Sequence, residues 1–263
     1  MTAGADPVAT GYDTLAPAYD ALTHDYDYDR WLAEIERIAR GHGLTGRRVL
    51  DVACGTGKSF LPLLRAGYSV TGCDISRAML DRAAAKAPGV PLHQADMRAL
   101  PTYGEHDLVT CLDDALNHLL TRDELTRALR GIRANLAPDG IAVWDVNTLA
   151  AYGETCTATR IDAAGDPFIV WQGKAGPPAP GMQAEAVVHV FRERSDGCWR
   201  RSECRLEERH WPHAELTAVA AEAGLRIVEA FGQRPGVLLD AELDESTHTK
   251  ALCFATPDRA GTG

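Results

Sequence analysis

The chain has 263 residues, 45% hydrophobic and 24% charged, so it can bury one substantial core with room for a small inserted lobe. Its net charge of −10 at pH 7 would repel a phosphate backbone, which argues against nucleic acid as a partner. No stretch approaches the roughly 18–20 apolar residues that span a bilayer, and the N-terminal segment lacks a basic stretch and an apolar signal core. These features predict a cytoplasmic protein without a membrane partner.

The N-terminal segment contains "DYDYDRWLAEIE", which imitates a calcium-binding loop because acidic residues stand at positions 1, 3, 5 and 12. Position 6 is Arg30, where the sharp turn of such a loop needs glycine, so acidic capping of the following helix is the better interpretation. The seven cysteines are widely spread and contain no C-x-x-C pair, which favours free thiols over a zinc site. We therefore expect no metal.

Apolar runs alternate with helical patterns over residues 47–147. Gly67 suits the end of the first helix, and Ser76 suits the start of the second. Thr121 and Glu124 form a capping-box pattern for the third. Buried strands that alternate with helices predict a parallel sheet covered on both faces. The predicted strands lie at 47–53, 68–74, 90–96, 106–112 and 140–147.

The helical pattern stops over residues 155–210, where four further runs predict antiparallel strands. Asp196-Gly197 indicates a hairpin turn, and Ser195 is an alternative third member of that turn, so the register stays open. With only two residues in the turn, one face would carry Val187, His189, Phe191, Cys204 and Leu206.

A last helical pattern follows, and then strand candidates at 225–231 and 247–256. The predicted fold class is therefore α/β, a single doubly wound domain with a small antiparallel β lobe inserted after the fifth strand.

The segment "DVACGTGKS", residues 51–59, connects the first strand to the first helix and fits neither of two common nucleotide loops. A phosphate loop needs glycine at the position of Val52. A dinucleotide loop needs glycine at the position of Phe60, where the helix packs closely on the strand. Both loop types are therefore disfavoured, because each lacks a glycine that its geometry requires.

Two carboxylates flank this glycine turn: Asp51 precedes it and Asp74 closes the second strand. The small residues Ala53, Gly55 and Gly57 would let the backbone approach a ligand closely. This arrangement predicts a ligand with a ribose but no phosphate. A tight turn without a ligand would explain the glycines but not the carboxylates.

Four segments, in this order and spacing, resemble the class I S-adenosylmethionine-dependent methyltransferases: "VLDVACGTG", "VTGCDISRAML", "QADMRALP" and "HDLVTCLDDALNHL". The resemblance covers roughly residues 10–147 and the last two strands. It implies a Rossmann-like, mostly parallel seven-stranded sheet, with "THTKALCFAT" as the antiparallel seventh strand, and S-adenosylmethionine as cofactor. Ala53 departs from the glycine common in these enzymes, but its small size leaves the approach open.

The resemblance also implies cofactor contacts. Asp74 would accept hydrogen bonds from both ribose hydroxyls, Asp96 would bind the adenine amino group, and Asp51 would order the turn or reach the cofactor ammonium. For Met79 and Leu112, plain core packing is the alternative. The remaining candidates around the methionine half and the adenine are Ala53, Cys54, Gly55, Gly57, Ile75, Met79, Met97 and Leu112.

The N-terminal "GYDTLAPAYD" resembles the first helix of these enzymes. Tyr12, Ala16 and Tyr19 would share one helix face, since seven residues make about two turns. That face would close over the cofactor, and Tyr19 is also a catalytic candidate. Ordinary docking of a terminal helix is the alternative.

With these roles the chain divides into four predicted segments. Residues 1–46 form a helical lid, and residues 47–147 form the cofactor-binding core. Residues 148–211 form the inserted lobe, a cap over the substrate, and residues 212–263 complete the core.

Methyl transfer requires alignment and desolvation more than a strong acid or base. A lobe beside the methyl position predicts an enclosed pocket for a small-molecule acceptor. The chain most resembles small-molecule methyltransferases of bacterial secondary metabolism, including those acting on amino sugars and other antibiotic precursors. Whether an amine or a hydroxyl is methylated stays open.

His118 lies about where related sugar-amine methyltransferases place a histidine near the acceptor. It is the main catalytic candidate, and a hydrogen-bonded histidine at a helix start is the alternative. Two other functions stay open: a nicotinamide-dependent oxidoreductase and a catalytically inactive S-adenosylmethionine-binding module. A homo-oligomer through the lobe or the N-terminal helices is a further open alternative.

Overall fold

The computed structural model describes residues 6–155, 157–162, 167–174, 176–234 and 239–258. Two helices come first, α1 (Pro7–Leu22) and α2 (Tyr28–Gly41). Asp27 caps α2 by accepting a hydrogen bond from Arg30 N at 3.0 Å, which confirms the acidic cap predicted for this helix. The alternating core then comprises β1 (Arg48–Val52), α3 (Leu61–Arg65), β2 (Ser69–Asp74), α4 (Arg77–Lys86), β3 (Leu92–Gln94), β4 (His106–Cys111), α5 (Arg122–Ala134) and β5 (Leu136–Asn147).

A seven-stranded sheet forms the centre of the molecule. Its last two strands along the chain are β10 (Leu225–Gln233) and β11 (Lys250–Pro257), and helix α7 (His213–Glu222) precedes them. The strand order is β10-β11-β5-β4-β1-β2-β3, and β11 runs antiparallel to the six other strands. Every residue from Ile141 to Val146 in β5 is buried, because helices cover both faces of the sheet. The predicted α/β class and strand directions are confirmed.

A separate four-stranded antiparallel sheet lies between β5 and α7, as the fold prediction required. A short helix that the sequence analysis did not predict, α6 (Leu149–Thr155), leads into it. The lobe strands, in hydrogen-bonded order, are β6 (Thr159–Asp162), β7 (Phe168–Gly173), β8 (Gln183–Glu193) and β9 (Trp199–Arg209).

The β8–β9 hairpin does not have the two-residue turn. Ser195 joins the turn, Arg194 N donates to Cys198 O at 2.8 Å, and Gly197 adopts a φ of +77°. A three-residue loop that ends in a left-handed glycine shifts the register by one residue. The face predicted with Val187, His189 and Phe191 is therefore wrong. The cross-strand pairs are instead Ala186–Leu206, Val188–Cys204 and Val190–Ser202.

The capping residues predicted from the sequence lie at the starts of α4 and α5. Ser76 Oγ accepts a hydrogen bond from Met79 N at the start of α4, and Thr121 with Glu124 forms the complete capping box of α5. The described cysteines are free, and Cys198 alone among them is exposed; Cys156 lies outside the described residues. Among the described helices, none combines the length and apolar character needed to cross a membrane.

Packing within the turn explains why residue 57 is a glycine. Its φ is +85°, and a Cβ on it would lie 2.6 Å from Cζ of the Phe60 ring. Phe60 is fully buried. The aromatic ring that replaces the third glycine of a dinucleotide loop thus fills the space beneath the turn and requires glycine at position 57.

Gly57→Ala should lower the free energy of unfolding by about 2–5 kcal/mol, because left-handed strain adds to an overpacked contact. Gly89→Ala is the matched control: its φ is +91°, but no atom lies within 4 Å of the added Cβ. The control should lose only about 1–2 kcal/mol. Denaturant unfolding of both variants measures the difference, and equal losses would contradict the role given to Phe60.

Candidate active site

A cleft with about 640 Å³ of empty space opens at the carboxyl ends of β1, β2 and β4, with α1 over it. The cleft brings together most of the predicted site residues. These are Tyr12, Tyr19, Ala53, Cys54, Gly55, Asp74, Ile75, Met79, Met97, Leu112 and His118.

Asp74 is held at the mouth of this cleft by backbone amides. Gly55 N donates to its Oδ2 and Ser76 N to its Oδ1, both at 2.8 Å. Burial raises the pKa of Asp74 to about 6, although these backbone hydrogen bonds work in the opposite direction. The carboxylate is therefore oriented, and each oxygen retains a lone pair for a further donor.

The backbone from Ala53 to Gly55 forms the floor of the cleft. Ala53 has a φ of +56°, a left-handed conformation that costs a non-glycine residue about 1–2 kcal/mol. Its small size leaves the cleft open, as predicted, but does not remove this conformational cost. Gly55 also has a positive φ, and a Cβ there would lie 4.0 Å from the Tyr19 ring of α1.

Asp51, Gly57 and Asp96 do not belong to the lining of this cleft. Asp51 is buried beneath the turn, where it accepts hydrogen bonds from Ser59 Oγ and Thr110 Oγ1, both at 2.6 Å. Burial raises the pKa of Asp51 to about 6 against these hydrogen bonds. These contacts order the turn, so the geometry supports the first of its two predicted roles.

Asp96 lines a neighbouring hollow of about 400 Å³ together with Ala53, Ile75 and Met97. Arg98 Nε donates to both oxygens of the Asp96 carboxylate at 2.9 Å. The carboxylate is thus already neutralised by a guanidinium before any ligand binds. Arg98 was not among the predicted site residues, so this contact was not predicted.

Tyr12 and His118 meet at one end of the cleft. Their Oη and Nε2 atoms lie 2.6 Å apart, and His118 Nδ1 lies 2.9 Å from the carbonyl oxygen of Glu207. A carbonyl oxygen only accepts, so Nδ1 carries a proton and Nε2 is left to accept from the Tyr12 hydroxyl. Burial raises the pKa of Tyr12 well above its ordinary value, which keeps the phenol protonated.

Tyr19 stands beside this pair, with its ring centroid 6.2 Å from that of Tyr12. Burial, reinforced by nearby Asp113 and Asp114, raises the pKa of Tyr19 well above its ordinary value. Its phenol therefore stays neutral at physiological pH. Such a group can donate a hydrogen bond in the cleft but is not a base.

Two consecutive aspartates after β4 were missed as site residues. Asp113 lines the cleft, accepts a hydrogen bond from the Tyr28 hydroxyl, and has a φ of +61°; Asp114 follows with +53°. Lys250 Nζ donates to Asp114 Oδ1 and to Asp145 Oδ2, both at 2.7 Å. The pair "DD" directly after a parallel strand was an available signal, since ligands bind at that edge.

Polar contacts fasten α1 to the core across the cleft. Asp13 accepts hydrogen bonds from Ser76 Oγ at 2.5 Å and Ala78 N at 3.1 Å, at the start of α4. Asp20 pairs with Lys86 at 2.6 Å. The lid function of segment 1–46 and the cap function of segment 148–211 stay predictions, but the geometry places α1 where a lid would act.

One group of side chains has the spacing of a metal site. Ligand atoms of Asp114, His118 and Glu208 all lie within 4.8 Å of one another. Both nitrogens of His118, however, already form hydrogen bonds to Tyr12 and Glu207. A metal would have to break one of these contacts, so the absence of a metal site stays our prediction.

Comparison with known proteins agrees with this geometry. Residues 49–140 match the family model described as "Methyltransferase domain". The chain is 33% identical over 205 residues to the protein named "Putative methyltransferase YqeM" of Bacillus subtilis (strain 168). That match covers 76% of this chain and 80% of YqeM.

A second relative is the dTDP-3-amino-3,6-dideoxy-alpha-D-glucopyranose N,N-dimethyltransferase of Streptomyces fradiae. It is 35% identical over 117 residues, which are 44% of this chain and 46% of that enzyme. Thus the chain spans about half the length of that relative.

Among solved structures, an S-adenosylmethionine-dependent methyltransferase from Clostridium acetobutylicum ATCC 824 has the same fold. Its TM-score is 0.78 at 20% identity, over 94% of this chain and 98% of that chain. The small residues of the turn, the oriented Asp74 carboxylate and the apolar side chains of the cleft fit S-adenosylmethionine as the cofactor. The chain belongs to the class I S-adenosylmethionine-dependent methyltransferases.

Proposed function

We propose that this enzyme methylates the amine of a small-molecule acceptor that binds beneath α1, beside Tyr12 and His118. The observation that carries the proposal is the hydrogen-bonded Tyr12–His118 pair, which lines the same cleft as Asp74 and the glycine turn. The relative from Streptomyces fradiae, named as an amino-sugar N,N-dimethyltransferase, supports an amine as the acceptor.

In this proposal the cofactor lies along the turn. Asp74 accepts hydrogen bonds from the ribose hydroxyls, and the backbone of Ala53 to Gly55 lies against the methionine half. Ile75, Met79 and Leu112 enclose the adenine, with Met97 at its edge. When bound, S-adenosylmethionine supplies an electrophilic methyl group on a sulfonium ion.

The Tyr12–His118 pair orients the acceptor nitrogen and receives a proton. His118 Nε2 accepts the Tyr12 hydroxyl proton, so the phenol presents an oxygen lone pair to an acceptor N–H. The proton that the nitrogen loses after methylation can pass to the Tyr12 oxygen while the phenolic proton moves to His118. The chain's own residues thus supply alignment and a proton path, the two needs of this reaction.

One earlier alternative loses its support. Membership in the methyltransferase family leaves the nicotinamide-dependent oxidoreductase without support. A hydroxyl acceptor, or an inactive binding module, stays an alternative that a transfer assay decides.

Asp74→Ala should weaken binding of S-adenosylhomocysteine, the product form of the cofactor, by roughly 1.5–3 kcal/mol, the usual loss for hydrogen bonds to a charged group. Asp81→Ala, on the exposed face of α4, is the matched control and should bind normally. Calorimetric titration gives both affinities. A folded Asp74→Ala protein with unchanged affinity would contradict the cofactor role of Asp74.

The affinity of the wild type for S-adenosylhomocysteine should also depend on pH. The Asp74 pKa of about 6 in the free protein means that the carboxylate is ionised above pH 7 and protonated below pH 5. The ribose hydroxyls bind the ionised form, so affinity should be full above pH 7 and fall as the pH falls through 6. Titrations from pH 5 to 8 measure this fall, which should be much smaller in Asp74→Ala.

His118→Ala should lower turnover by roughly 10²–10⁴ because it removes the proton acceptor of the pair. Tyr12→Phe should also lower turnover, because it removes the hydroxyl that orients the acceptor nitrogen and passes its proton to His118. Transfer of a labelled methyl group to a panel of amines and phenols measures turnover, and titration with S-adenosylhomocysteine should show retained cofactor affinity.

His24→Ala, at the exposed C-terminal end of α1, is the control and should remain active. His118→Asn separates a base from an orienting group: most of the rate should survive if His118 only positions Tyr12. Full activity of His118→Ala would refute both roles.

A further inference from the structure

Glu208 is a carboxylate on the apolar inner face of the lobe. Strand β9 alternates, and Cys204, Leu206 and Glu208 point to the same side, where the first two pack against α1. Glu208 is only 8% exposed. A charged residue at such a position is costly unless a partner compensates it, so its presence there requires a reason.

Among the described residues no cation forms an ion pair with Glu208, although Lys250 offsets part of its charge from a distance. The neighbouring Asp114 has its ion pair with Lys250, at 2.7 Å. For Glu208, the described residues supply one hydrogen bond, from Asn147 Nδ2 to Oε2 at 3.2 Å, and none to Oε1. Burial, and after it the Asp114 carboxylate, raises the pKa of Glu208. The Glu208 carboxylate therefore has no cation paired with it among the described residues.

Glu208 lies close to the end of the cleft where Tyr12 and His118 meet. A carboxylate oxygen of Glu208, one of Asp114 and a nitrogen of His118 lie within 4.8 Å of one another. His118 in turn contacts the Tyr12 hydroxyl at 2.6 Å. A cation bound by Glu208 would thus lie beside the pair that the proposed function assigns to the acceptor nitrogen.

We propose that Glu208 binds the acceptor amine as its ammonium ion and takes the proton that the nitrogen must lose before methylation. This inference rests on the proposed function and names the acceptor class: an aliphatic amine that is protonated in solution. An alkylammonium such as the lysine side chain has a pKa of about 10.4, so it enters charged. A phenol or an alcohol enters the cleft as a neutral molecule and would not neutralise the unpaired carboxylate.

The proton step is balanced by the two groups alone. One N–H bond of the ammonium breaks, an O–H bond forms on Glu208 Oε1, and the electron pair stays on nitrogen. The products are a neutral amine, which carries the lone pair needed for attack, and a neutral carboxylic acid. The Tyr12–His118 pair then remains available for the proton released after methylation.

The test uses cyclohexylammonium and cyclohexanol, two ligands of similar shape that differ in charge. Each is titrated into the full-length protein saturated with S-adenosylhomocysteine. The wild type should bind cyclohexylammonium at least about 10-fold more tightly, the effect of one charge-assisted hydrogen bond. Glu208→Gln should lose this preference without a change in cyclohexanol affinity. Glu203→Gln, on the opposite face of β9, is the matched control and should retain it.

A wild type without preference for the ammonium ligand overturns the inference, whether or not Glu208→Gln folds. So does a folded Glu208→Gln protein that keeps the full preference. A labelled-methyl assay separates this inference from the proposed function. If amines are methylated equally fast by wild type and Glu208→Gln, the function holds and the role of Glu208 fails. If the ammonium preference depends on Glu208 but no amine is methylated, the binding site holds and the function fails.

Discussion

The ion network of Lys250 is the constraint on which the active site depends. Its side chain is 13% exposed, and its ammonium joins the first residue of β11 to Asp145 of β5 and to Asp114 in the loop after β4. Burial alone would lower the pKa of Lys250, but the surrounding carboxylates outweigh it and raise the pKa well above its ordinary value. The lysine therefore stays charged and holds three parts of the sheet edge together.

This network also stabilises an unfavourable backbone. Asp113 and Asp114 both adopt left-handed conformations, each of which costs about 1–2 kcal/mol for a non-glycine residue. Besides the ion pair, Asp114 N donates to Asp145 Oδ2 at 3.1 Å, and Tyr28 donates to the Asp113 carboxylate. The resulting turn starts the short 3₁₀ helix Ala115–His118, which brings the imidazole to Tyr12.

A single lysine cannot neutralise every carboxylate at this end of the cleft. It forms its short contacts with Asp114 and Asp145, while Glu208 comes from the lobe and lies beyond them. Helix α1 lies over the same space: its apolar face packs on the lobe, and Asp13 and Asp20 contact the core. Core, lobe and α1 thus meet at this end of the cleft, where Asp114, Asp145 and Glu208 outnumber the single Lys250.

The amino-acid sequence by itself determined the fold class, the strand order along the chain, the caps at Ser76 and Thr121 and most of the residues that line the cleft. These features depend on periodicity and on hydrogen bonds between residues close in the chain, which a linear pattern records. The sequence did not decide the length of the β8–β9 turn, and one more residue in this loop changes which side chains of the two strands share a face.

Only the tertiary structure decided which polar groups meet. Tyr12 and His118 are 106 residues apart, Lys250 and Asp114 are 136 apart, and Arg98 pairs with Asp6 at the start of α1, 92 residues away. Likewise, the unpaired charge of Glu208 exists only because the lobe folds back onto the core. The physical reason is that burial and pairing of charge depend on distances in space, and these arise when separate elements pack.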